Sequence, residues 1–278
     1  MAFVNSSRQT EQFFTQLAHE RAVLVRVAST QGSVPREAGA WMAVFSGTVT
    51  GTIGGGHLEY QAIAKARERL RSNNWGDGQT SLQVLERFAL GPSLGQCCGG
   101  VVILCFEPVD ATDLPALAGR LGTALTPVAL FGGGHVGQAL VQVLALLPFL
   151  VTWVDSRDDV FPADVSPRLL CEYVEPVQAV VTTLAPQSRV LIMSFSHAED
   201  FDVVAACLTR QREKADLPYV GLIGSKTKWA AFQRRLALRG FSPAELAHVT
   251  CPIGIAGIAG KEPEVIAVAV AAQLLQTL

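Results

Sequence analysis

The chain has 278 residues, 49% of them apolar. That is enough for two domains with full hydrophobic cores, so the six cysteines are not needed as staples for an undersized fold. A formal net charge of −2 argues against a nucleic-acid or polyanion partner.

The first predicted element is a short helix near residues 9–18, in a stretch with no basic segment followed by an apolar core, so no secretion signal is read there. The apolar, β-branched AVLVRVAST follows as a strand, then the turn-rich GSVPREAGA and a second strand, WMAVF. GTVTGTIGGG is dense in glycine and leads into HLEYQAIAKARERLRS, which has the period of an amphipathic helix. SLQVLERFAL and GGVVILCFEP supply two more strands. Residues 1–110 thus read as a small N-terminal α/β domain, and residues 111–126 as a helix plus linker.

From residue 127 the pattern becomes strict alternation. VALF, LVTWV, LCEYV, RVLIMSF and YVGLIG are strands with helical segments between them, and the last helix runs from residue 264 to 278. This predicts a Rossmann-like, doubly wound parallel sheet over residues 127–278. The longest apolar run, 139–154, contains Gln142 and is broken by Pro148, too short and interrupted for a bilayer. The expectation is a cytoplasmic protein with reduced thiols and no membrane association.

Two glycine loops carry the chemistry. In the first domain, Gly54, Gly55 and Gly56 offer backbone N–H groups before a helix, a nest suited to an anion, with His57 and Glu59 on its first turn. In the second, Gly132, Gly134 and Gly137 have G-x-G-x-x-G spacing, with Gly133 and His135 inside the loop. That spacing is weak evidence alone, but here it follows an apolar strand and opens an apolar-periodic helix. Asp155 stands where a ribose-binding acid is expected, about 20 residues on. His197, Asp200 and Asp202 follow one later strand; Lys226 and Lys228 follow the next. Each of these could equally be a helix start or cap.

Between the domains' motifs lies GPSLGQCCGG, with Gln96, Cys97, Cys98 and Gly99. Adjacent cysteines do not easily reach disulfide geometry, and no second close pair completes a zinc site. Glycines on both sides leave at least one thiol approachable, so the pair reads as a thiol site and the other four cysteines as core residues.

Seven stretches, GSVPREAGAWM, GTIGGGHLE, GPSLGQCCGG, FGGGHVGQAL, VDSRDDVFP, YVGLIGSKTK and CPIGIAGIAGKEPEVIAVAVAAQLL, span nearly the whole chain. Taken in order, they resemble the xanthine dehydrogenase accessory proteins of the XdhC/CoxI type. The resemblance implies a chaperone that binds molybdenum cofactor (molybdopterin), protects it, supports its sulfuration with a cysteine desulfurase and delivers it to the molybdenum subunit of xanthine dehydrogenase. It also implies a homodimer, and no turnover chemistry of the chain's own. It carries over to Gly54, Gly55, Gly56 and Glu59, to Gln96 through Gly100, and to Gly132 through Gly137. One departure stands out: related branches place a cysteine where this chain has His57. That moves the expected metal-facing thiol to Cys97 and Cys98. A soft thiolate suits such a sulfur-rich metal centre, Asp155 would hold a hydroxyl or amine of the cofactor, and Lys226 would add charge to its phosphate.

Two other readings compete. An NAD(P)-dependent oxidoreductase would use the second glycine loop for its nucleotide and His197 for proton transfer, but leaves the first domain's glycines and cysteines without a role. A pure adaptor would use the loops as turns only. A cofactor carrier with a separate nucleotide in its Rossmann-like domain combines the first two.

Overall fold

The computed structural model describes residues 8–72, 83–90, 99–122, 125–163, 166 and 168–278. Gln96, Cys97 and Cys98 lie outside the described residues. The chain divides into two compact units, Met1–Gly122 and Thr123–Leu278.

The first unit contains α1 (Arg8–Leu17), β1 (Ala22–Gln31), β2 (Trp41–Val44), β3 (Val49–Gly51), α2 (Gly56–Arg71), β4 (Val84–Ala89), β5 (Val101–Val109) and α3 (Leu114–Leu121). Its sheet has the order β3-β2-β1-β5-β4, and each of these pairings is antiparallel. Alternation along β1 builds two cores, because successive side chains of a strand leave opposite faces. Val23, Val25 and Val27 pack with Leu58, Ala62 and Ala66, which recur every fourth residue along α2. Ala22 and Leu24 pack under Phe13, Phe14 and Leu17 of α1 and Leu117 and Leu121 of α3. The stretch read as a helix plus linker is therefore folded as far as Leu121. Its entry is a capped 3-10 turn in which the Asp110 carboxylate accepts the Thr112 amide at 2.8 Å and Asp113 accepts that of Asp110 at 2.9 Å. Beneath α3, Arg120 grips the buried Glu107 with two bonds of 2.7 and 2.6 Å.

The second unit contains β6 (Thr126–Phe131), α4 (His135–Leu144), β7 (Phe149–Asp155), β8 (Leu169–Tyr173), β9 (Arg189–Ile192), α5 (His197–Lys214), β10 (Tyr219–Leu222), α6 (Lys226–Leu238), α7 (Pro243–Leu246), β11 (Val249–Thr250) and α8 (Pro263–Leu275). All pairs in its six-stranded sheet are parallel, in the order β11-β10-β9-β6-β7-β8. That is the doubly wound order in which the first strand is central and the topology reverses beside it, between β6 and β9. Burial on both faces explains why these strands read as continuous apolar runs. Val128 and Leu130 face Leu140, Leu144, Val270 and Leu274 of α4 and α8. Ala129 and Phe131 face the opposite core, with Phe201, Val204, Leu208 and Phe232 of α5 and α6.

Candidate functional site

In open parallel sheets, ligands bind outside the carboxyl ends of the strands at the point where the order reverses. Here that point is where Gly132 leaves β6. Gly132 has φ +120, and a Cβ on it would lie 1.9 Å from the Met193 carbonyl oxygen, so the chain can pass β9 only as glycine. Gly137 is equally constrained, since its Cβ would fall 2.2 Å from the Gly132 carbonyl oxygen. That oxygen also accepts the Trp153 indole N–H at 3.0 Å. The first and last glycines of the motif are thus requirements of packing.

The middle of the loop is divided. Gly133 is buried, and its amide donates to Asp155 Oδ2 at 2.5 Å. The Arg157 guanidinium then holds both carboxylate oxygens at 2.9 Å, and the Arg157 amide adds a bond of 3.0 Å. Burial opposes ionisation of Asp155, but these donors outweigh it and hold its carboxyl below the ordinary aspartate value. A Cβ at Gly133 would also meet Val160 at 2.5 Å. Val160 in turn lines a cavity of about 490 Å³ with Gln138, Val141, Trp153, Phe161 and Leu169. Gly134 and His135, by contrast, are exposed at the start of α4, and a Cβ on Gly134 would meet nothing within 4 Å. The part of the loop open to an anion is therefore the helix start, not the whole glycine run.

The structure places Gly132, Gly133 and Asp155 together, with the Asp155 carboxylate bonded to the Gly133 amide and to Arg157. Both oxygens of Asp155 are engaged within the chain. Arg157, two residues on, is the partner that the sequence reading missed; an acid and a base at i and i+2 just past a strand end was the available signal.

Segments after β7 and β9, the two neighbours of β6, are joined by further contacts. Ser156 Oγ donates to Glu199 at 2.8 Å, and the Arg157 guanidinium lies 4.4 Å from the ring centre of Phe195. Ser194 donates its amide to Asp200 at 2.8 Å, and the other Asp200 oxygen accepts Lys228 Nζ at 2.5 Å. Lys228 also donates to the Ile223 carbonyl at 2.9 Å. This ion pair is nearly buried, with side chains 11% and 3% exposed. Lys226, the lysine singled out from sequence, is exposed at the first position of α6, and His197 is exposed at the first position of α5. The inward-reaching cation is Lys228, one of two lysines on the first turn; the pattern alone did not separate them.

In the first unit, Gly54, Gly55 and Gly56 all have positive φ, of 121, 74 and 66. The nest amides there are largely taken by the chain. Glu59 Oε2 accepts the Ile53 amide at 3.0 Å, the Gly55 amide at 3.1 Å and the Thr52 hydroxyl at 2.5 Å, while Thr52 Oγ1 accepts the Gly54 amide at 3.1 Å. Glu59 acts as the loop's own anion, so these donors would reach a phosphate only if Glu59 moved aside. His57 is exposed, 3.0 Å from Gln61 through its Nε2. A Cβ at Gly54 would strike Pro35, and one at Gly100 would strike the Ser33 and Gln31 carbonyls. GSVPRE, GTIGGG and the glycines that follow the cysteine pair hence gather at one end of the sheet. Among the described residues, no group of three or more His, Cys, Asp or Glu is placed to hold a metal ion. No described helix is long and apolar enough to cross a membrane.

Residues 128–274 match the model of the XdhC Rossmann domain, and residues 16–78 match that of the XdhC and CoxI family. The uncharacterised protein YqeB of Escherichia coli (strain K12) is 24% identical over 256 residues. The match covers 91% of this chain but 43% of that protein, so the chain spans less than half the length of this curated relative. A crystal structure described as a xanthine dehydrogenase from Bacillus halodurans has the same fold, with a TM-score of 0.77 at 20% identity, covering 100% of this chain and 96% of that one. With its Rossmann unit matched almost from end to end, the chain belongs to the XdhC and CoxI family.

Proposed function

We propose that this chain is a maturation factor for a xanthine dehydrogenase, one that binds molybdenum cofactor, shields it, supports its sulfuration with a cysteine desulfurase and hands it to the enzyme's molybdenum subunit. The observation that carries the reading is the divided glycine loop. A dinucleotide needs the acid after the second strand for its ribose and the glycine amides for its pyrophosphate. Here Asp155 holds Gly133 and is itself held by Arg157, while the start of α4 stays open. That arrangement favours a cargo with one phosphate over NAD(P).

The residues present fit such a cargo. The open N–H groups at Gly134 and His135 suit its phosphate. Ser194 Oγ, buried and without a hydrogen-bond partner, suits a polar edge of its pterin. Cys97 and Cys98 would supply a soft thiolate toward molybdenum or the incoming sulfur. A homodimer in the cytoplasm completes the proposal, as does the absence of turnover chemistry.

The test is anaerobic. Purified protein is mixed with freshly released molybdenum cofactor, desalted, and assayed for retained molybdenum and pterin together. Retention of both, reduced in Cys97→Ser/Cys98→Ser protein, is the expected result. Retention that ignores the cysteines would remove the thiol role and keep the carrier. No retention, with tight NADH binding instead, would overturn the carrier in favour of an oxidoreductase.

A further inference from the structure

We infer that Phe195 is a stacking platform for a planar nitrogen heterocycle, the pterin ring of the proposed cargo; the assignment to pterin rests on the carrier reading above.

Phe195 is 66% exposed although it lies only three residues past the end of β9 and two past the nearly buried Met193. A lone exposed ring is ordinary on a protein surface; what marks this one is its place beside the reversal point of the sheet. One structural reason would be a staple, in which the residue before a helix N-cap packs on an apolar fourth residue of the helix. Ser196 is the N-cap of α5, its hydroxyl accepting the Glu199 amide, so the fourth helical residue is Asp200. Asp200 is charged and committed to Ser194 and Lys228. The staple is therefore absent.

What Phe195 does contact is Arg157, whose guanidinium sits 4.4 Å from the ring centre. The two bonds from Arg157 to Asp155 fix that cation before any ligand arrives. The ring is thus held from one side and open over most of its surface, next to the reversal point of the sheet. Three neighbouring groups fit a flat, polar-edged ligand there. Ser194 Oγ is buried without a partner one residue before the ring. Gly132 lies against Met193 and Ser194, so the glycine loop adjoins the same spot. The open start of α4 follows two residues later and would take a phosphate on the ligand's tail. A ring face for stacking, a hydroxyl for an edge atom and N–H donors for an anion together describe a phosphorylated bicyclic heterocycle. Pterin and purine share that chemistry.

The experiment measures two binding constants on the full chain, as wild type, Phe195→Leu and Phe195→Trp. One probe is the air-oxidised pterin phosphate released from molybdenum cofactor, followed by fluorescence quenching; the other is AMP. Intact cofactor retention is measured on the same preparations, and thermal unfolding checks that the exposed position leaves the fold unchanged. Loss of the ring should weaken pterin binding by roughly 5-fold to 150-fold, the range of aromatic–base stacking, while Phe195→Trp preserves it. Equal pterin affinity in wild type and Phe195→Leu, with intact cofactor retained by both, overturns the platform and leaves the carrier standing. A ring-dependent loss for AMP alone overturns the pterin assignment. Wild-type protein that retains no cofactor and binds no pterin overturns the carrier reading, and this inference with it.

Discussion

The Asp155 carboxylate and the Gly133 amide are joined at 2.5 Å, so the acid that the fold usually turns to a ribose is turned to the glycine loop. Arg157 makes the arrangement a three-part lock.

Replacing Asp155 by Asn keeps the shape and removes the charge that Arg157 and Gly133 require. Urea unfolding should show a loss of about 1.5–3 kcal/mol at neutral pH, the range for hydrogen bonds to a charged group. The pH dependence has a definite sign. Because the folded value of Asp155 is lowered, its contribution is complete above the unfolded value of about 3.9 and is lost as pH falls through the lower folded value. Wild type should therefore lose this stability below about pH 4, and the Asn variant should have the shallower acid limb. Equal acid limbs would show the lock to be energetically idle.

Within one motif, glycines should respond in opposite ways. Gly132→Ala drives a Cβ onto backbone at a positive φ, and soluble expression should fail or stability should drop by more than about 3 kcal/mol. Gly134→Ala, in open space at φ −71, should unfold within about 0.5 kcal/mol of wild type. Circular dichroism with thermal melts separates the two outcomes.

Lys228→Met leaves Asp200 charged, nearly buried and short of its partner. Removing one member of such a pair usually costs about 3–5 kcal/mol. Lys226→Met, at an exposed position two residues away, should change stability by less than about 0.5 kcal/mol. Chemical denaturation of the two variants side by side decides whether Lys228 is the structural cation of this edge.

Native-state alkylation at pH 8 should spare Cys207, since burial pushes its thiol up to about 12, and should also spare the buried Cys105. Cys171 and Cys251 are half-buried with raised values, again from burial, and should react slowly. Peptide mass spectrometry over time then gives Cys97 and Cys98 a clear background; fast labelling of Cys207 would contradict the packing of α5.

Periodicity and glycine spacing made the second unit legible, because a buried parallel strand, a glycine turn and a helix are local patterns, and the distance from Gly132 to Asp155 is fixed by one helix and one strand. Partner choice was only partly local. The i, i+2 spacing in VDSRDD offers Arg157 to Asp155, but nothing in GSKTK says that Lys228 and not Lys226 will reach Asp200, since that acid stands on the first turn of α5, after a different strand. The first unit hid its pairing for the same reason: β1 pairs with β5, about 80 residues away, and no sequence period records that partner. Glu59 is a further case: its sequence position marks it as a candidate ligand group, but not that its carboxylate, on the first helical turn, would accept the amides just before it.

The position of α8 bears on how the protein is made. Val128 and Leu130 of β6 are covered in part by Val270 and Leu274. Those residues are synthesised roughly 140 positions later, an interval of about 7–30 s at 5–20 residues per second. Throughout that interval this face of the nascent second unit has α4 but not α8 to cover it, while every element of the first unit has already been translated. The first unit can be finished on the ribosome; the second keeps part of its apolar sheet face uncovered until its last helix is made, the interval in which exposed surface favours misassembly.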